Sequence, residues 1–111
     1  MQPADLDWLV TEMKSFIIDG KALTTEDAFH DHFASTFGFP HYYGRNMNAW
    51  NDWMSDQCLA HCMILIHIEN VRIFRKQMPQ LFSALVDSSA FLNWRATSEG
   101  GDPLIALSYF N

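Results

Sequence analysis

The sequence predicts an α/β protein with a small parallel sheet packed with helices. Three observations point there: three short apolar runs of strand length, helical periodicity in the stretches between them, and spacers long enough for crossover connections. Strands separated by helical stretches imply right-handed βαβ units and therefore parallel pairing. The chain has 111 residues, of which 49% are hydrophobic and 14% aromatic. That is too apolar for disorder, and the length suits one compact domain with one core. We expect a single domain over residues 1–111, with an N-terminal extension over 1–12 and a core over 14–108.

Residues 3–12 can form a short helical lead-in, because proline is tolerated in a first turn and Asp5 and Asp7 suit the positive end of a helix dipole. The run KSFIID at 14–19 is the first strand, ended by the turn dipeptide Asp19-Gly20. Thr24 or Thr25 caps a helix to about residue 36. Ala28, Phe29, Phe33 and Phe37 repeat there at helical spacing, Glu26 and Asp27 occupy the first turn, and Gly38 stops it. Phe39-Pro40 breaks helical geometry, so Tyr42-Tyr43-Gly44 lies in an ordered loop. A second helix starts at Asn46, its cap, with Met47, Trp50 and Met54 along one face.

The run CMILIHI at 62–68 shows little alternation and reads as a second strand buried on both faces. Helical segments follow at 71–77, at 79–87, and from Ser88 or Ser89 through Trp94 towards Ser98. The run Glu99-Gly100-Gly101-Asp102 ends them, and LIALSY at 104–109 is the third strand.

Seven Lys and Arg against thirteen Asp and Glu give a net charge of -6. Such a surface disfavours a general nucleic-acid binder and attracts a basic protein. Cys58 and Cys62, four apart, do not make a disulfide framework and read as reduced thiols. The opening MQPADLDWLV lacks a basic n-region and a long apolar stretch, so neither a signal peptide nor an anchor is expected. No apolar run approaches the roughly 20 residues that span a bilayer. We therefore expect a soluble, cytoplasmic protein with no membrane partner. A monomer is favoured, although the sequence does not fix the oligomeric state.

The stretch FGFPHYYGRNMNAWNDW at 37–53 holds six aromatic residues, two glycines and a proline around the carboxylate of Asp52. A carboxylate accepts paired hydrogen bonds from arginine much as a phosphate does, and it is worth most where aromatic neighbours exclude water. Of the adjacent tyrosines, one is expected to pack and one to face outward. Gly44 serves a positive φ or a close chain approach. One at least of Trp50 and Trp53 belongs to the core.

The pattern PxYYGxNxxAxxD, here Pro40, Tyr42, Tyr43, Gly44, Asn46, Ala49 and Asp52, resembles that of the barstar family of ribonuclease inhibitors. The flanking order of strands and helices is similar over about 14–108. The resemblance implies a three-stranded parallel sheet with packed helices, and an activity that plugs the active site of a barnase-like ribonuclease with loop 40–46 and helix 46–55. It implies a partner-binding set of Tyr42, Tyr43, Gly44, Arg45, Asn46, Asn48, Ala49, Asn51, Asp52 and Arg95, with Asp52 filling the enzyme's phosphate site. The chain departs from the family where the resembled inhibitors carry Asp and Trp on the second helix and Glu after the tyrosine-glycine turn. Asn48, Asn51 and Arg45 stand there, and Arg95 replaces a further glutamate, so this face is less acidic. A different nuclease, or a regulatory interaction domain on a non-nuclease partner, is the alternative.

Cys58, His61, Cys62 and His67 have ligand chemistry for zinc but no recurrent CxxC pair, and Cys62 and His67 fall on opposite faces of the strand; no metal is expected. His41 lies in the loop, where a plain loop histidine is the commoner reading and an imidazole that tunes affinity the alternative. No nucleophile elbow, phosphate-binding glycine loop or HExxH is visible. Asp52 and Asp56, four apart on one helix face, are the one acid/base pair an enzyme reading has, and solvated carboxylates account for them. Neither an enzyme nor a cofactor is expected.

Overall fold

The structure, a computed structural model, describes residues 13–61 and 63–111. Strand β1 (Met13–Asp19) leads through a 3-10 turn (Gly20–Ala22) to helix α1 (Glu26–Phe37), helix α2 (Met47–His61) and strand β2 (Met63–Glu69). Helix α3 (Val71–Gln77), helix α4 (Pro79–Ser98) and strand β3 (Ile105–Tyr109) complete it. The sheet is parallel in the order β1-β2-β3. The α/β class and three-stranded parallel sheet are those expected; the lead-in at 3–12 and residue Cys62 lie outside the described residues.

Local chemistry sets the boundaries. Thr25 Oγ1 accepts from Ala28 N at 3.0 Å and so caps α1, whose first turn carries Glu26 and Asp27. Gly38 closes it at φ 69°, in the left-handed region that glycine enters without steric cost. Gln57 of α2 donates to the Phe37 carbonyl at 3.0 Å, satisfying an orphan acceptor at the end of α1 and holding the two helices together. Gly20 is required by a close approach, since a Cβ there would lie 2.4 Å from the Asn70 carbonyl oxygen.

Sequential parallel strands joined by right-handed crossovers place both helical connections on one face of the sheet. Burial agrees: Ile18, Ile64, Ile66, Ile68 and Ile105 join Phe29, Phe33, Trp50, Phe74, Leu85 and Leu92 in the core. On the other face Ile17 is 68% exposed, and its in-register neighbours His67 and Ser108 are half-buried and hydrogen-bonded to each other at 3.0 Å. This corrects the expectation for β2, which is fully buried on one face only. Its outer positions Met63 and Leu65 are apolar and half-buried beside the two neighbouring strands, which hides the alternation in the sequence.

A second correction concerns α4, which runs unbroken through Ser88 and Ser89. Both serines are buried, and the Ser89 hydroxyl donates to the Leu85 carbonyl at 2.8 Å, four residues back. A serine bonded that way continues a helix instead of starting one. Near its end Asn93 accepts from the N–H groups of Leu104 and Ile105 and donates to the Ile105 carbonyl, pinning the start of β3.

Candidate functional site

Asn46 begins α2. Its Oδ1 accepts from Ala49 N at 2.8 Å while its Nδ2 donates to the Gly44 carbonyl at 3.2 Å, so one side chain caps the helix and shapes the loop before it. Gly44 is a close-approach glycine, for its missing Cβ would sit 3.3 Å from the Ala49 Cβ. The positive φ falls on the next residue, Arg45, at 54°. A non-glycine residue held there is strained and persists only where its surroundings fix it.

Two fixings are present, and neither was visible in the sequence. The Arg45 guanidinium folds back onto α1, with Nη1 2.5 Å from Asp31 Oδ1 and Nη2 3.1 Å from Asp27 Oδ1. These hydrogen bonds, to Asp31 first, hold its pKa above the ordinary arginine value. Beneath it the Tyr43 hydroxyl lies 2.7 Å from His30 Nδ1, both residues being buried. Burial pushes the Tyr43 hydroxyl up to about 12 and holds His30 below its ordinary value, so the imidazole is neutral. His30 Nε2 is buried without a partner among the described residues. The only hint in the sequence is that Asp27 and Asp31 share a helix face with an adjacent histidine; their distance along the chain from Arg45 conceals the contact.

The tyrosine pair divides as expected: Tyr43 is 6% exposed and Tyr42 69%. The Tyr43 side chain thus supports the loop from inside and offers no surface to a partner. The Tyr42 ring meets Trp53 edge-on at 6.0 Å between centroids, and Phe39 lies 6.3 Å from Trp53, so the loop and α2 share one aromatic surface. Trp50 is fully buried, with its ring edge-on to Phe33. Asp52, beside Trp53, is exposed, and among the described residues no hydrogen bond or ion pair holds its carboxylate.

Other candidates take different places. Asn48 is exposed and Ala49 half-buried. Asn51 is half-buried with its Oδ1 sealed from solvent and without a partner, so that oxygen is not on the surface. Arg95 of α4 is exposed, donates to Ser55 Oγ at 2.8 Å and stacks over Phe91, which joins it to the α2 face three residues beyond Asp52. His41 is exposed beside Tyr42. Cys58 is buried in the core, which pushes its thiol up to about 11, and His67 is paired with Ser108 on the sheet's outer face. Among the described residues no group of three metal-ligating side chains assembles. Nor is any described helix long and apolar enough to cross a membrane.

The arrangement presents an exposed anion, unengaged among the described residues and next along α2 to Trp53, whose ring meets Tyr42 of the loop. Comparison with curated proteins gives no match. Among protein families, residues 13–105 match the one described as Barstar (barnase inhibitor), and with nearly all of its described length matched, the chain belongs to the barstar family.

Proposed function

We propose that this protein is a cytoplasmic, single-domain inhibitor of a barnase-like, toxin-type ribonuclease, which it silences by stoichiometric occlusion of the RNA site. The observation that carries this reading is the carboxylate of Asp52, exposed and unpaired among the described residues. A basic nucleolytic cleft holds its cations ready for phosphate, and a carboxylate delivered with water-excluding aromatic neighbours occupies the same donors. Tyr42 and the exposed Asn48 ring the anchor; Gly44, Asn46 and Ala49 give the loop its shape; Tyr43 holds it from inside. Inhibition by this route needs no cofactor and no chemistry by the inhibitor.

The test mixes the purified protein with a panel of microbial ribonucleases and follows residual RNA cleavage against inhibitor added. We expect activity to fall in proportion to inhibitor until one equivalent is reached. Asp52→Ala weakens binding by roughly 2 kcal/mol or more, about thirtyfold, as truncation of a central interface anchor does. If every nuclease stays active, the inhibitor reading fails. A second reading then applies, a regulatory interaction domain on another protein, favoured by the exposed Asn48 and Arg95 on this face; Arg45 is engaged by Asp27 and Asp31, and the Asn51 amide oxygen is sealed from solvent.

A further inference from the structure

The chain carries only seven lysines and arginines against thirteen acids. Three of the seven, Arg72, Arg75 and Lys76, line a single groove of about 600 Å³ between α3 and the start of α4, and no Asp or Glu lines it with them. All three are exposed, and among the described residues none makes an ion pair. On a surface so rich in carboxylates, three like charges around one concavity repel each other, and an incoming anion relieves that repulsion. Carboxylates elsewhere on the chain are screened beyond about 10 Å at 0.1 M salt, so the net charge does not cancel the local field.

Aromatic rings accompany the cations. The Arg75 guanidinium lies over the Phe82 ring, 5.5 Å from its centroid, and Phe82 meets Tyr109 edge-on at 5.5 Å. Val71 N donates to the Phe110 carbonyl at 3.0 Å, which ties the end of β3 to the start of α3. Phe82, half-buried, lines the groove with the cations, as do Pro79, Ser83 and Asn111. Inorganic phosphate or an acidic peptide would engage the cations alone, whereas a nucleotide engages both sets, its phosphate on the cations and its base on a ring or guanidinium face.

We propose that this groove binds the phosphate of a nucleotide whose base stacks on Phe82 or on the Arg75 guanidinium, either as a free nucleotide or as part of a single-stranded oligonucleotide. The site shares no residue with the loop and α2 and is independent of ribonuclease inhibition.

The test is fluorescence anisotropy of the full chain with a labelled single-stranded oligonucleotide of about 8 nucleotides, titrated from about 50 to about 200 mM salt. Three phosphate contacts predict a slope of log K against log salt of about -2, equivalent to a roughly twentyfold loss across that range. Arg75→Ala or Lys76→Ala reduces the slope by about 0.7 each. The triple variant Arg72→Ala/Arg75→Ala/Lys76→Ala, its fold verified by circular dichroism, does not bind. Phe82→Leu weakens binding at least about fivefold. Competition by adenosine monophosphate assigns the site to free nucleotides, and its failure assigns it to strands; either supports the proposal. Asp52→Ala binds like the wild type, which separates this site from the inhibitor reading. Absence of binding at the lowest salt, undiminished binding by the triple variant, indifference to Phe82→Leu, or equal competition by polyglutamate each overturns it.

Discussion

Arg45 and Arg75 are both exposed arginines on an acidic chain, and they have opposite surroundings. Arg45 is clasped by Asp27 and Asp31, beside a loop in which Tyr43 meets His30 and Asn46 bonds the backbone of Gly44 and Ala49. Arg75 stands with Arg72 and Lys76, and among the described residues none of the three is ion-paired. The loop face uses its polar side chains to fix its own shape, leaving Asp52 outward; the α3 groove fixes nothing with its charges. Substitutions in the two regions should therefore be felt differently, as folding stability beneath the loop and as ligand affinity at the groove.

The largest effect on stability falls on Tyr43. Tyr43→Phe keeps the ring but leaves His30 Nδ1 buried without its partner, and Nε2 already has none. An unsatisfied buried polar group costs about 1–3 kcal/mol, measurable as a lower urea midpoint at unchanged slope. Tyr42→Phe, one residue away and exposed, stays within about 0.5 kcal/mol. Equal costs at the two positions would remove the distinction between a supporting and a presenting tyrosine.

Acid acts on the same clasp. His30 is held below its ordinary 6.5 first by burial and also by the Arg45 charge, against the opposing pull of Glu26, Asp27 and Asp31. The unfolded chain therefore takes up a proton at a pH where the native chain does not, and stability falls as the pH drops below about 6.5. At the alkaline end the sign reverses. Tyr43, raised from 10.0 to about 12, stays protonated when folded, so stability declines as pH rises through that interval. Urea midpoints measured across pH check both limbs; Tyr43→Phe removes the Tyr43 part of the alkaline decline and leaves that of the buried Cys58 thiol, raised from 9.0 to about 11.

The parts of this design that the sequence discloses are those set by neighbours in the chain. The Thr25 and Asn46 caps, the Gly38 stop and the alternation that separates Tyr42 from Tyr43 depend on side chains meeting backbone a few residues away. Contacts between elements leave no such trace. Arg45 finds Asp27 and Asp31 only once α2 and its loop fold back over α1, and His30 meets Tyr43 across thirteen positions. Ser88-Ser89 mislead because serine suits both a cap and a buried helical position, and tertiary burial selects the second. The outer face of β2 misleads because Met63 and Leu65 are apolar without being fully buried. The carboxylate of Asp52 was legible through its motif; the sealed amide oxygen of Asn51 was not, since that depends on packing.

The smallest expected effect is the sharpest check on the comparison. Arg72→Ala and Lys76→Ala remove charges with no ion-pair partner among the described residues, so each should leave stability within about 0.5 kcal/mol. Relief of mutual repulsion offsets part of any lost packing of their aliphatic stems. Arg75 is the informative position, because its guanidinium stacks on Phe82, a contact worth about 0.5–1 kcal/mol at an exposed site. Arg75→Lys keeps the charge and loses the planar stack, whereas Arg75→Gln keeps much of the stem and loses the charge. If thermal unfolding shows both to be as costly as Tyr43→Phe, Arg75 is a structural strut like Arg45 and the two regions are alike. A cost confined to the strength of one stacked ring leaves the groove's charge uncommitted within the fold and available to a ligand.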